Sequence, residues 1–183
     1  IPIYLSHGTL SMCKKKINSN YDIQINIIAD LQPFLIDDIE ITPIPVPHDA
    51  REPFQFMFKS KAKSLAIITD LGFITNYLIK TLKEITALVI EFNHDRDMLT
   101  LSDYPQSLKN RIGGKYGHLD NMESIKLLKL INHNDIKWIA AAHLSEKNND
   151  ENLVKKLIAD SISKELDIIK IINQETGLDW MTV

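Results

Sequence analysis

Three histidines and an aspartate carry the residue types of a metal centre: His48 in PIPVPHDA, Asp70 in LAIITDLG, His143 in KWIAAAHLS, and His118 in YGHLDN on a glycine-bearing loop. Imidazole and carboxylate are ligands for divalent transition metals, and a strand end is a rigid place from which to present them. His48, Asp70 and His143 each follow a β-branched or apolar run and stand beside a small or turn-forming residue. The chemistry this set points to is metal-dependent hydrolysis.

Each residue also has an ordinary reading. Pro43, Pro45 and Pro47 stiffen the approach to His48, which suits a ligand but also an edge strand ending in a polar residue. Asp70 ends LAIIT, where a carboxylate also serves as a helix cap, with Thr75 close by. Glu91 closes ITALVIE, with His94 and Asp95 within the next turn; a buried glutamate that accepts a hydrogen bond from an imidazole fixes its tautomer, and His118 is the expected partner. The glycines before His118 allow a backbone to approach a ligand, or form a plain connector. His7 and His133 read as structural residues in a turn and a polar loop. Cys13 beside Lys14, Lys15 and Lys16 reads as the solvated end of a helix rather than a reactive thiol.

The elements that must position these groups alternate. Strands are expected at 1–5, 23–28, 39–46, 54–58, 64–69, 87–91, 136–141 and 168–172, and helices at 8–16, 75–82, 121–131 and 150–163. The runs 54–58 and 64–69 flank KSKAK and read as an antiparallel hairpin with lysines at its tip. Residues 93–117 read as short helices inside a long excursion, a feature that is often functional. Strand runs alternating with helical periods give an α/β layer architecture in one domain covering 1–183.

Composition narrows the class. With 44% hydrophobic residues among 183, the chain can bury a full core. A formal charge of −3 supplies no global field for nucleic acid, so a polyanion must be met by a local patch. A single cysteine excludes an internal disulfide framework, and no apolar run reaches the roughly 18–20 residues of a membrane span, so a soluble cytoplasmic protein is expected. Serine-hydrolase elbows, phosphate-binding P-loops and dinucleotide turns are absent from the sequence.

Taken in order, PHDA, TDLG, EFNHD, YPQSLKNRIGGKYGHLDN and AHLSEKNN resemble the metallo-β-lactamase superfamily, and within it the bacterial YycJ/WalJ-type branch. The resemblance implies a four-layer αββα sandwich with metals at one sheet edge. It matches His48 to a ligand of a first metal, Asp70 to a carboxylate bridging two metals, and His143 to a ligand of the second. It also matches His118 to a general acid beside the scissile phosphate, with Glu91 orienting it. Two divalent ions, zinc or manganese, and a metal-hydroxide mechanism follow for a complete enzyme. The superfamily's H-x-H-x-D-H motif does not occur in the sequence. The chain is therefore expected to be the greater part of such a domain, incomplete at its N-terminal side, with partial or no metal occupancy and little activity alone.

The implied activity is phosphodiester hydrolysis on nucleic acid, as a DNA exonuclease. His94, Arg111, Lys115 and Lys147 are the expected substrate contacts; Lys109 and the hairpin lysines Lys59, Lys61 and Lys63 are further candidates, readable equally as solvated charges. Two alternatives stand: a hydrolase of small or cyclic phosphodiesters, and a non-catalytic partner-binding scaffold whose exposed sheet edge favours self-association into a homo-oligomer.

Overall fold

The computed structural model describes residues 1–13, 23–28, 31–131, 135–162, 166–175 and 177–183. Lys14, Lys15, Lys16, His133 and Ser163, which the sequence reading placed at helix ends or in a loop, lie outside the described residues. Among these residues, no helix is long and apolar enough to cross a membrane.

A seven-stranded mixed sheet dominates, in the order β3 (Phe34–Ile36), β4 (Ile39–Pro45), β5 (Phe54–Ser60), β6 (Lys63–Ile68), β7 (Ala87–Glu91), β8 (Trp138–Ala142) and β9 (Ile169–Ile171). The first three pairings are antiparallel and the last three parallel. The expected hairpin is present: Ser60 pairs with Lys63 around Lys61, whose φ of 56° suits a tight two-residue loop. β1 (Ile3–Leu5) and β2 (Ile25–Ile27) form a separate two-stranded parallel sheet, which represents the expected second sheet among the described residues. Tyr4 of β1 stacks on Phe34 of β3 with ring centroids 4.8 Å apart.

Parallel strands need crossovers, and helices supply them. α1 (His7–Cys13) follows β1, and α2 (Asn76–Thr81) joins β6 to β7. α3 (Arg96–Leu101), α4 (Gln106–Ile112) and α5 (Asn121–Ile131) fill the excursion between β7 and β8, and α6 (Glu151–Ile162) joins β8 to β9. The caps are local: Thr75, not Asp70, accepts from the backbone N–H of Leu78 to start α2, and Asp95 does the same for α3. Asp120 and Asp150 accept from the first turns of α5 and α6.

Strand alternation divides the core. Leu88, Ile90, Ile139 and Ala141 face α2, α5 and α6 in the main cluster, while Ala87, Trp138 and Ala140 face a smaller cluster closed by Met181 and Val183. β8 is buried at every position, as a central strand covered on both faces must be. A buried amide pair ties helix starts to the sheet. Asn121 and Asn149 exchange hydrogen bonds of 2.9 Å, and Asn149 Nδ2 also donates to the Phe92 carbonyl at 2.7 Å. Replacing Asn149 by Ala leaves those groups unpaired in a dry environment. The expected cost is about 2 kcal/mol, read as a melting temperature lower by about 4–8 °C.

Candidate metal centre

The topology brings the predicted residues to one sheet edge. β6, β7 and β8 are adjacent and parallel, so their carboxyl ends lie together: Asp70 follows β6, Glu91 ends β7 and His143 follows β8. β4 runs in the same direction as β6 because two antiparallel pairings separate them, so His48, just beyond β4, reaches the same edge. His118 arrives from the loop between α4 and α5. Asp70 and His143 have φ of 52° and 58°, the left-handed region that a residue with a Cβ rarely adopts. Backbone strain is thus placed at the two strand ends that carry candidate ligands.

Glu91 organises this edge. It is 0% exposed, and its carboxylate accepts five hydrogen bonds. Oε1 takes the backbone N–H of Asp70 (3.2 Å), Nδ1–H of His118 (2.9 Å) and Nδ1–H of His143 (2.7 Å). Oε2 takes the backbone N–H groups of Leu71 (3.0 Å) and Leu119 (3.1 Å). Because an ionised carboxylate only accepts, both imidazoles must carry their proton on Nδ1, which leaves Nε2 as the free nitrogen. Burial alone would push the Glu91 carboxyl up, but the hydrogen bonds from His118 and His143 hold it at about 2. The same bond from Glu91 raises the affinity of His143 for a proton, against its own burial.

His48 is oriented in a parallel way: its Nδ1 lies 3.1 Å from the Gly117 carbonyl, which can only accept, so Nε2 is again the free nitrogen. That Nε2 lies 3.7 Å from Asp70 Oδ1. The same Asp70 oxygen is 3.7 Å from Nδ1 of His118 and 3.8 Å from Nδ1 of His143. The ring centroids of His48 and His143 each stand 5.1 Å from that of His118. Asp70, Glu91, His118 and His143 offer ligand atoms within 4.8 Å of one another. Both Glu91 oxygens already accept hydrogen bonds, and His48 adds a third imidazole beside Asp70. Three imidazoles, each anchored through Nδ1 with Nε2 left free, together with the Asp70 carboxylate are the donor chemistry that a divalent transition metal requires.

Three loops interlock to hold the set. Asp49 N–H donates to Tyr116 O (2.9 Å) and Gly72 N–H to Pro47 O (2.8 Å). A Cβ on Gly72 would collide with the Lys115 and Tyr116 backbone, so glycine is what permits this approach. Arg111 reaches across from α4 to Asp49, the neighbour of His48, and this bond holds the Asp49 carboxyl below its usual range.

The expected substrate contacts divide. Arg111 is at the rim but is engaged by Asp49, an ion pair the sequence analysis did not anticipate. Lys115 is exposed and lines the cleft beside His118. Lys147 lies 5.5 Å over the Tyr104 ring in a second cleft that His118 and His143 also line. His94 is buried, its Nδ1 3.2 Å from Asn93 Oδ1, and burial lowers its pKa; it borders the first cleft and stands outside the imidazole cluster. The hairpin lysines correct an expectation: Lys63 starts β6 and Asp70 lies beyond its end, so Lys59, Lys61 and Lys63 are at the opposite end of the strands, roughly 20 Å away. His7 opens α1 and is exposed. Asn93, whose side-chain amide donates to the His143 carbonyl (3.1 Å), is a further positioning group; its place in EFNHD, directly after the Glu91 strand, was the only signal for it.

Sign and size for Glu91 follow from its lowered pKa. A depressed carboxyl contributes stability that is complete above its ordinary value of 4.5 and is lost as the pH falls towards about 2. At ~1.4 kcal/mol per pH unit the contribution is about 3 kcal/mol. Chelator-treated Glu91→Gln protein should therefore be less stable by about 2–4 kcal/mol at neutral pH and should lose that part of the acid dependence. Urea titrations at several pH values check both outcomes.

Comparison with known proteins gives a consistent result. Residues 1–139 match the family model described as the Beta-lactamase superfamily domain. The chain is 32% identical over 169 residues to Exodeoxyribonuclease YycJ of Bacillus anthracis, covering 91% of this chain and 62% of that protein. It is 30% identical over 127 residues to Exodeoxyribonuclease WalJ of Streptococcus pneumoniae, covering 69% and 47%. Among solved structures, the metallo-beta-lactamase fold protein YhfI of Bacillus subtilis superposes with a TM-score of 0.72 at 16% identity, covering 98% of this chain and 64% of that one. The chain thus spans less than two thirds of the length of the curated relatives it matches.

Proposed function

The chain belongs to the beta-lactamase superfamily and carries its metallohydrolase fold, and from that premise we propose that it performs metal-dependent hydrolysis of phosphodiester bonds in DNA, releasing nucleotides from a strand end. The observation that carries this reading is the set of three imidazoles, His48, His118 and His143, each held through Nδ1 with Nε2 left free, beside the Asp70 carboxylate, whose Oδ1 lies 3.7 Å from His48 Nε2. The substrate class is supported by the exodeoxyribonuclease names of the two curated relatives.

His48, Asp70 and His143 would hold divalent cations, and nitrogen and carboxylate ligands suit zinc or manganese alike. Bound there, such ions supply Lewis-acid stabilisation of phosphoryl oxygens and activation of water at neutral pH. The chain's own residues do the rest. Glu91 keeps the His118 proton on Nδ1, so that Nε2 is the position that exchanges with substrate. As water adds to phosphorus, giving up a proton to solvent, and the bond to the ester oxygen breaks, a proton on His118 Nε2 passes to the departing oxygen and is then replaced from solvent. Lys115 and Lys147, on the two sides of that ring, offset the charge of the incoming strand.

Nucleotide release from end-labelled DNA with zinc or manganese, and its loss with chelator, tests the proposal; DNA left intact by the metal-loaded protein would end it. Asp70→Asn is expected to abolish both turnover and metal retention. His118→Gln should lower turnover by about 10²–10⁴-fold with metal content unchanged. Loss of metal from the His118 variant, measured by elemental analysis, would reassign that residue as a ligand.

A further inference from the structure

His118 is the wall shared by two clefts of different chemistry. The first encloses about 520 Å³ between the Gly72–Phe73 turn, α4 and the start of α5, within the ~300–1,000 Å³ range of small-ligand pockets. Phe73 borders it with 43% of its surface exposed, an aromatic face presented at the mouth of a polar cavity. Opposite stand the amides of Gln106 and Asn110, joined by one hydrogen bond of 2.8 Å from Gln106 Nε2 to Asn110 Oδ1. That bond leaves Gln106 Oε1 as an acceptor and Asn110 Nδ2 as a donor. Of the cations of this cleft, Arg96 pairs with Asp120 and Glu123 and Lys109 donates to the Thr100 carbonyl, while Lys115 is exposed at its edge. An aromatic platform, an amide donor and an amide acceptor form the recognition set for a nucleobase.

The second cleft, about 350 Å³, is built differently. It is bordered by His143, Ser145, Glu146 and Lys147, and its aromatic ring, Tyr104, already has the Lys147 ammonium over one face at 5.5 Å. That contact occupies one face of the ring. A cation and a hydroxyl beside two imidazoles suit a backbone phosphate.

We propose that these clefts read DNA asymmetrically: the Phe73 cleft receives one unpaired nucleoside adjoining the scissile phosphate, and Lys147 binds the next phosphate on the other side of His118. The inference rests on the phosphodiesterase reading above and adds a requirement to it. A base can enter against Phe73 only after leaving its own stack and pair, so single-stranded ends are bound in preference to blunt duplex.

Binding in chelating buffer tests this without any turnover. Fluorescence anisotropy with a labelled ten-residue thymidine oligonucleotide should show binding by the wild type that weakens about tenfold in Phe73→Leu and is retained in Phe73→Trp, because the loss is of a stacking surface rather than of apolar bulk. Lys147→Gln should weaken binding several-fold and lower the slope of log affinity against log salt by about 0.7. Phe73→Leu binding as tightly as wild type, no binding by the wild type, or tighter binding of a blunt duplex than of the single strand would overturn the proposal. Absence of hydrolysis in the metal-loaded assay would instead strike the phosphodiesterase reading alone, since this measurement involves no cleavage.

Discussion

A single dry carboxylate determines the form of the site. Glu91 is placed in the sheet interior where an isolated charge would be costly, and it stays ionised because three backbone amides and two imidazoles surround it. Those five donors belong to three chain segments far apart in sequence: the turn after β6, the loop before α5 and the end of β8. The group that sets the tautomers of His118 and His143 is therefore also the group that pins their loops. Fold and chemistry cannot be separated at this position.

Around that centre, positioning is done mainly by backbone. The loop carrying His48 is laced to the loop carrying His118 through Asp49 N–H to Tyr116 O and through His48 Nδ1–H to Gly117 O, with Gly72 fitted against Lys115 and Tyr116. The Arg111–Asp49 pair closes the same seam from outside. Exposed ion pairs contribute little to stability by themselves, and this one serves to limit where His48 can move. Local cation placement matters more here than the overall formal charge of −3, because Lys115 and Lys147 flank the imidazoles while the hairpin lysines lie at the far end of the strands.

Much of this was legible from residue order. Alternation and apolar runs located β7 to the residue and α5 to the residue, and placed the other long strands within two positions of their bounds. β3 was not seen: the expected strand began at Ile39, whereas Asp37 adopts φ of 53°, a conformation that aspartate tolerates, and turns Phe34–Ile36 back to pair with β4 in a tight hairpin. Asp70, His48 and His143 were legible because they punctuate strands that share a direction. The Glu91–His118 bond was expected, while the equally short bond from His143 to Glu91 was not, since 52 residues separate the two and only strand order brings them together. Arg111 was read by its charge, and its partner Asp49 could not be paired with it before the two loops were seen side by side.

The left-handed backbone at Asp70 and His143 has an evolutionary corollary. Glycine relaxes such a conformation, and although aspartate and histidine tolerate it better than most side chains, a strain of about 1 kcal/mol per residue remains. Selection for thermal robustness alone would drive both positions towards glycine, at the expense of the side chains that gather at the sheet edge. A variant of this protein that melts later but has fallen silent should be sought first among changes at these two bends.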